Sequence, residues 1–154
     1  MVKYIIRPIV ILFSMVFFIP GAFAEQTQEQ KREALCNEGN STACFKVGER
    51  YRTVERDNKK AISFYEKACD AGYMTGCTNG GILLAMKGTP YSKDFKQARK
   101  MFDKACEAGE DQSCYNMGTL NYKEGRQSKA IKYYKRACEM GNQAGCAKEK
   151  RLKR

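Results

Sequence analysis

Three segments of the chain repeat one helical spacing of apolar residues. The first contains Ala61, Phe64, Tyr65, Ala68 and Cys69, at relative positions i, i+3, i+4, i+7 and i+8. The same spacing recurs at Ala98, Met101, Phe102, Ala105 and Cys106, and at Ala130, Tyr133, Tyr134, Ala137 and Cys138. Charged residues fill the positions between, so each segment predicts an amphipathic helix. No segment alternates with a period of two for long enough to indicate a strand, and the chain is predicted to be all-α.

A second helix is predicted between these amphipathic helices. It contains a glycine four positions after a cysteine in three copies: Gly48, Gly81 and Gly118. A glycine inside a helix costs about 1 kcal/mol relative to alanine, so its recurrence predicts a close approach of another helix. Gly88-Thr89-Pro90 is predicted to end one of these helices, with Ser92 as the N-cap of the next. Asp57 and Gly125 mark the other two turns.

The cysteines define a repeat with the motif C-x-x-G-x-x-x-x-C, which occurs four times. Each unit is predicted to be a pair of helices, an A helix that begins near the second cysteine of the motif and a B helix that ends near the next first cysteine. The predicted α/α solenoid has three such units, at residues 44–76, 77–113 and 114–145. Residues 25–43 supply a leading capping helix, and residues 146–154 a basic trailing one.

The motif also predicts how the eight cysteines pair. Its glycine lies where a helix end favours a left-handed residue, so the chain reverses and brings the two cysteines of the motif together. One disulfide is therefore predicted in each turn: Cys36–Cys44, Cys69–Cys77, Cys106–Cys114 and Cys138–Cys146. Zinc sites usually show closer cysteine pairs or histidine, and the chain has no histidine and no C-x-x-C. We predict no metal site and no cofactor.

The first 24 residues have the composition of a secretory signal peptide. Lys3 and Arg7 precede an apolar run, and Ala22-Phe23-Ala24 resembles a cleavage site. Because the run is shorter than the roughly 20 residues of a membrane span, an uncleaved anchor is the less favoured alternative. We therefore expect an exported protein, periplasmic or secreted, with disulfides and no stable membrane insertion after the signal is removed.

The net positive charge of the chain bears on the kind of partner that it could bind. The first 24 residues contribute two basic residues and no acidic one to the formal net charge of +11, which leaves +9 for the rest. A basic exported protein favours anionic surfaces or acidic partners, although the charge is also consistent with solubility alone. The basic tail, residues 148–154, is interpreted as a solvated cap, with docking to an acidic partner or an anionic envelope lipid or polymer as the alternative. No nucleic-acid motif is present, and nucleic acid is not expected as a partner.

The unit from Cys114 to Gly125, followed by Ala130-Ile-Lys-Tyr-Tyr-Lys-Arg-Ala-Cys138, resembles a Sel1-like repeat. The cysteines eight residues apart make it similar to the Helicobacter cysteine-rich protein type of that family, over about residues 29–154. The resemblance implies a tetratricopeptide-related solenoid that acts as an interaction scaffold. It also implies an alternative function, since some cysteine-rich members are described as penicillin-binding proteins or weak β-lactamases.

The residues give that alternative no catalytic centre. A serine enzyme of this kind needs Ser-x-x-Lys, and no serine or threonine has lysine three residues later. All cysteines are assigned to disulfides, and no catalytic residue is predicted. A further alternative is the neutralisation of an exported toxin or effector by this small protein.

The favoured interpretation is a scaffold that binds a protein or peptide in a concave groove lined by the A helices. A cell-wall glycopeptide or an acidic partner also fits the charge of the chain. Asparagine amides can pair with a peptide backbone as donor and acceptor, which favours an extended ligand. The residues predicted to face the groove are Lys46, Arg50, Asn79, Leu83, Asn116 and either Leu120 or Asn121. Ordinary polarity on an exposed helix face is the alternative explanation for the asparagines.

Overall fold

The computed structural model describes the backbone of residues 20–154 and the side chains of residues 28–154. The predicted signal peptide therefore lies outside the described residues, apart from the helical backbone of residues 20–24. Every regular element in the described part is an α-helix, as predicted. The helices are α1 (Pro20–Asn37), α2 (Ser41–Thr53), α3 (Asn58–Asp70), α4 (Met74–Lys87), α5 (Lys93–Glu107), α6 (Asp111–Lys123), α7 (Gln127–Glu139) and α8 (Gln143–Leu152).

Short polar side chains set the starts of four helices. Ser92 accepts a hydrogen bond from the Phe95 backbone N–H at 3.2 Å, which confirms it as the N-cap of α5. Asp57 caps α3 in the same way, with the Lys60 N–H at 3.0 Å. Asn40 caps α2 and Asn142 caps α8. Because Asn40 supplies this cap, α2 begins at Ser41, three residues before the cysteine at which the unit was predicted to begin.

The turn between each B helix and the next A helix has one geometry throughout the described chain. Its glycine has positive φ in all four copies, 91° at Gly39, 90° at Gly72, 99° at Gly109 and 98° at Gly141. This left-handed backbone favours glycine and reverses the chain. The two cysteines of each motif are then 4.5 to 4.7 Å apart between Cα atoms, and all four predicted disulfides are present.

The recurring glycine inside the A helices allows an aromatic ring to pack against the helix backbone. A Cβ atom on Gly81 would lie 2.6 Å from the ring of Phe102, and one on Gly118 would lie 2.6 Å from the ring of Tyr134. Gly48 has the same relation to Tyr65, at 2.8 Å. Real Cβ atoms do not approach so closely, so the glycines are required by the close approach of A and B helices that the sequence predicted.

Consecutive helices pack against each other along the chain, which gives the predicted solenoid. The A helices are α2, α4, α6 and α8, and the B helices are α1, α3, α5 and α7. Apart from consecutive helices, α4 and α6 make the most extensive backbone contact among the described helices, and we call the face formed by the A helices the inner side. Thr78 of α4 and Ser113 of α6 are both buried there, and their hydroxyls are hydrogen-bonded at 2.8 Å.

Candidate functional site

Two adjoining clefts lie on the inner side, between successive A helices. The cleft between α2 and α4 has a volume of about 430 Å³. The cleft between α4 and α6 has a volume of about 170 Å³. Both are lined by Ile82 and Met86, and the Met86 side chain is 78% exposed. We call the two clefts together the A-helix groove; besides these two residues it is lined by Arg52, Asn58, Asn79, Leu83, Ala85, Phe102, Asn116, Thr119, Leu120 and Lys123.

A charged cluster borders the groove at α2. The Glu49 carboxylate accepts hydrogen bonds from the Asn79 amide at 3.1 Å, from Arg52 Nη2 at 2.9 Å and from the Tyr65 hydroxyl. Burial raises the pKa of Glu49, but these hydrogen bonds and the Arg52 charge outweigh burial and lower the pKa below its usual 4.5. Burial and the hydrogen bond to Glu49 raise the pKa of Tyr65 to about 12. Glu49 is therefore anionic and Tyr65 neutral at neutral pH.

The border at α6 consists of uncharged polar side chains, with Lys123 one helical turn beyond Thr119. The hydroxyls of Thr119 and Tyr134 are 3.2 Å apart, and the Asn116 side-chain carbonyl accepts from Gln112 at 3.2 Å. The Asn116 Nδ2 atom is buried without a hydrogen-bond partner among the described residues. Burying an amide donor without a partner is unfavourable, so the Asn116 side chain has a hydrogen bond still to make.

The repeat explains why the groove is apolar at its centre. The residue five positions after the second cysteine of the motif is Glu49 in α2, Ile82 in α4 and Thr119 in α6. The polar residues at the two borders face the hydroxyls of Tyr65 and Tyr134, whereas Ile82 corresponds to a unit in which that aromatic residue is Phe102. The groove thus has a carboxylate and a guanidinium at the α2 border, apolar side chains in the middle, and hydroxyls together with Lys123 at the α6 border.

The structure places three of the predicted groove residues in the groove and one on its floor. Asn79, Leu83 and Asn116 line the clefts, and Leu120 forms part of the floor while 2% exposed. Lys46 is exposed on α2, one turn before Glu49, and does not line either cleft.

Two predicted groove residues have other environments. The prediction for Asn121 is wrong, because its side chain is 1% exposed and donates to the Met117 carbonyl of its own helix at 2.8 Å. Arg50 is half-buried against the preceding helix, where its guanidinium pairs with Glu33 at 2.8 Å, and it also pairs with Glu55 at 2.5 Å. These ion pairs leave Arg50 engaged within the chain.

The sequence analysis missed Ile82, Met86 and Thr119 as groove residues. They lie five, nine and five positions after the second cysteine of their motifs, one or two helical turns beyond the asparagines that it selected. Extending the same helix face by the i, i+3, i+7 rule from Asn79 gives Ile82 and Met86. That spacing was present in the sequence and was a usable signal.

Two further features concern residues 20–154 alone. No helix in that range combines the length and hydropathy that a membrane span requires. Among the side chains of residues 28–154, no three of His, Cys, Asp or Glu form a group that could hold a metal ion.

Comparison with known proteins identifies the repeat. Residues 41–73 and 80–110 match the family model of the Sel1 repeat, and residues 111–140 match that of the tetratricopeptide repeat. The chain contains Sel1 repeats. No curated protein sequence matches this Sel1-repeat protein.

Solved structures share the fold of this Sel1-repeat protein. A Sel1 repeat protein from Oxalobacter formigenes is 20% identical with a TM-score of 0.62, covering 79% of this chain and 96% of its own. Cysteine-rich protein B of Helicobacter pylori is 20% identical with a TM-score of 0.55, covering 79% and 92% respectively. A protective antigen of uropathogenic Escherichia coli with an SLR fold is 21% identical with a TM-score of 0.61, and the match covers 76% of this chain and 26% of the antigen. At these identities the likeness concerns the fold.

Proposed function

We propose that this Sel1-repeat protein is an exported scaffold that binds an extended peptide segment in the A-helix groove, and that the segment carries an apolar side chain flanked by acidic ones. The observation that carries the proposal is the apolar centre of the groove, where Ile82 and the exposed Met86 lie between two polar borders. Repeat proteins of this kind bind proteins, and the inner side of a solenoid is the surface they commonly use.

The apolar centre supports an apolar anchor on the ligand. Met86 is 78% exposed, and Ile82, Leu83 and Ala85 beside it are each half-buried. Methionine is flexible and polarizable, so it adapts to side chains of different shape. Burying a side chain the size of leucine on such a surface contributes about 1.5 to 3 kcal/mol.

The asparagines support an extended backbone for the ligand. Asn79 and Asn116 occupy the same position in successive units, one in each cleft. The Asn116 amide donor has no partner in the described chain, and a peptide carbonyl oxygen would satisfy it. Asn79 donates to Glu49 and keeps its side-chain carbonyl oxygen as an acceptor for a peptide N–H.

The charges around the groove support acidic residues on either side of the anchor. Lys46 of α2, Lys123 of α6 and Lys148 of α8 form no ion pair within residues 28–154. Carboxylates on the ligand would meet these cations at both ends of the apolar centre.

Export is supported by the sequence and by the disulfides. The apolar segment and the Ala22-Phe23-Ala24 site in the first 24 residues are typical of a secretory signal. Four disulfides persist in an oxidising compartment such as the periplasm or the extracellular medium.

Fluorescence anisotropy with synthetic peptides tests the groove. The probe is a labelled extended peptide with a central leucine between glutamates, and the comparison peptides replace the leucine with serine or the glutamates with lysines. We expect saturable binding of the first peptide and at least about tenfold weaker binding of either comparison peptide, because one loses the apolar contact and the other meets like charges.

Two variants and a control link the binding to the groove. Met86→Glu and the double variant Asn79→Ala/Asn116→Ala should each lower the affinity for the leucine peptide at least about tenfold. The control variant, Val54→Glu, introduces the same charge at an apolar side chain that is 74% exposed and lies outside the groove. It should bind the leucine peptide with the affinity of the unmodified protein. Equal binding of all three peptides, or equal loss in the control, would reject the proposal.

A further inference from the structure

The connections between A and B helices lie together along one side of the solenoid, which we call the loop edge. It comprises the α2–α3, α4–α5 and α6–α7 connections, the adjoining helix turns and the end of α8. Contacts between these segments define it: Tyr91 donates to the Glu124 carbonyl at 3.0 Å, and Gln127 donates to the Leu152 carbonyl at 3.3 Å. The opposite side contains the four disulfide turns.

The loop edge is strongly basic. Exposed lysines and arginines occur in every segment of it, and those without an ion pair in the described chain are Arg56, Lys59, Lys60, Lys93, Lys96, Lys129, Lys132, Lys150, Arg151 and Arg154. The acidic residues of this edge are fewer, namely Glu55, Asp57, Asp94 and Glu124, and three of them already pair with a cation of the chain: Glu55 with Arg50, Asp94 with Lys87, and Glu124 with Arg99 and Arg126. The edge therefore keeps a large excess of positive charge.

Helix electrostatics does not account for the basic residues at the starts of the B helices. A helix N-terminus carries partial positive charge, so lysine in the first turn is unfavourable and aspartate or glutamate is favourable. Lys59 and Lys60 begin α3, Lys129 lies in the first turn of α7, and neither turn contains an acidic residue. Asp57 caps α3, and the Lys60 ammonium lies 4.9 Å from the centre of the Tyr51 ring. Lys59 and Lys129 form neither an ion pair nor a cation–π contact in the described chain, so their charges are open to a ligand of the edge.

Exposed apolar side chains accompany the charges. Val54 in the α2–α3 connection is 74% exposed, Tyr91 in the α4–α5 connection 57%, and Tyr122 at the end of α6 47%. Tyr91 is held at φ 70° with its hydroxyl bonded across to the next connection, so its ring has a fixed position on the edge. The Arg126 guanidinium lies 6.0 Å from the centre of that ring.

We propose that the loop edge binds the surface of an anionic phospholipid bilayer. Basic side chains interspersed with tyrosine and aliphatic tips are what such a surface favours, because the cations meet lipid phosphates while the apolar tips enter the headgroup region. The edge consists of four separate segments of the chain, and each of them contributes cations. Cations spread over such a width can contact many lipid phosphates of a broad anionic surface at once. The A-helix groove opens on the inner side and stays accessible to its ligand.

Vesicle sedimentation with the full disulfide-bonded protein tests this inference. The probes are phosphatidylcholine vesicles with and without phosphatidylglycerol. The edge variant replaces three exposed lysines that have no ion pair, Lys59→Gln, Lys96→Gln and Lys129→Gln. The control variant removes the same charge near the disulfide turns, at the other ends of the helices, by Lys31→Gln, Lys67→Gln and Lys135→Gln.

We expect binding that requires phosphatidylglycerol and falls roughly a hundredfold in the edge variant, as about three surface lysines predict. The control variant should lose less than about fivefold, because its lysines lie within five residues of the first cysteine of a disulfide turn, at the ends of their helices opposite the edge, and salt screens charges over about 10 Å. Val54→Ser/Tyr122→Ser should weaken binding mainly at high salt, where the apolar contribution remains. Equal losses in the two lysine variants, or capture by soluble dextran sulfate with no vesicle binding, would overturn the proposal and leave the groove proposal untouched.

Discussion

At the α2 border of the groove, the negative charge belongs to one residue, Glu49. Glu49 accepts from Arg52, Tyr65 and Asn79, three residues from three different helices. The cluster thus connects the first unit to the second through one carboxylate. Because the pKa of Glu49 is lowered, the folded state prefers the carboxylate over the protonated acid.

We therefore expect the free energy of unfolding to decrease in acid as Glu49 becomes protonated. The folded-state pKa lies below the usual 4.5, so the contribution is complete above that value and is lost as the pH falls through the folded pKa. Replacing Glu49 with glutamine should lower the free energy of unfolding at neutral pH and flatten its decline below about pH 4.5. Urea unfolding at a series of pH values measures this, with the exposed Glu38→Gln as the control. A decline as steep in Glu49→Gln as in the unmodified protein would contradict it.

The sequence predicted some individual residues and not others, for a physical reason. The cysteines, the turn glycines and the glycines under the aromatic rings recur with a fixed spacing, so the repeat itself identifies their roles. Asn121 was misplaced because its polarity suggested a surface position. It lies seven positions after Cys114, where the other units have the buried Tyr51 and Leu84, and comparison of units indicates the core.

Helices of successive units are joined by a few polar contacts. A basic residue two positions before the first cysteine reaches the end of the preceding B helix in each described unit. Lys104 donates to the Cys69 carbonyl at 2.7 Å, and Arg136 donates to the Cys106 carbonyl at 3.1 Å. On the inner side, Thr78 and Ser113 join α4 to α6 in a buried hydrogen bond. The sequence predicted the helix pairs but not these contacts, because they depend on how one unit is rotated against the next.

We expect the buried hydrogen bond between Thr78 of α4 and Ser113 of α6 to contribute to stability. Thr78→Val leaves the Ser113 hydroxyl buried without its partner and should lower the free energy of unfolding by about 1 to 3 kcal/mol. The double variant Thr78→Val/Ser113→Ala removes both polar groups and should recover most of that loss. Urea unfolding of the two variants makes the comparison. If the double variant were less stable than the single one by a further amount of similar size, the hydrogen bond would not explain the effect.

The whole molecule has three surfaces with different chemistry. The inner side carries the apolar groove between polar borders, the loop edge carries exposed cations and apolar tips, and the opposite side contains the four disulfide turns. A solenoid keeps such surfaces separate because every unit contributes the same part of its helix pair to the same side. Substitutions at equivalent positions, such as Glu49, Ile82 and Thr119, then vary the chemistry along one surface without changing the fold.

Groove binding is the central claim, and NMR titration tests it most directly. The isotope-labelled protein would be titrated with the peptide that has leucine between glutamates, and backbone and side-chain amide shifts would be followed. The proposal predicts saturable shifts concentrated at Asn79, Ile82, Met86, Asn116 and Thr119, with the Asn116 side-chain amide among the largest because its donor gains a partner. Shifts confined to the loop edge, or an absence of saturable shifts at these residues, would contradict it.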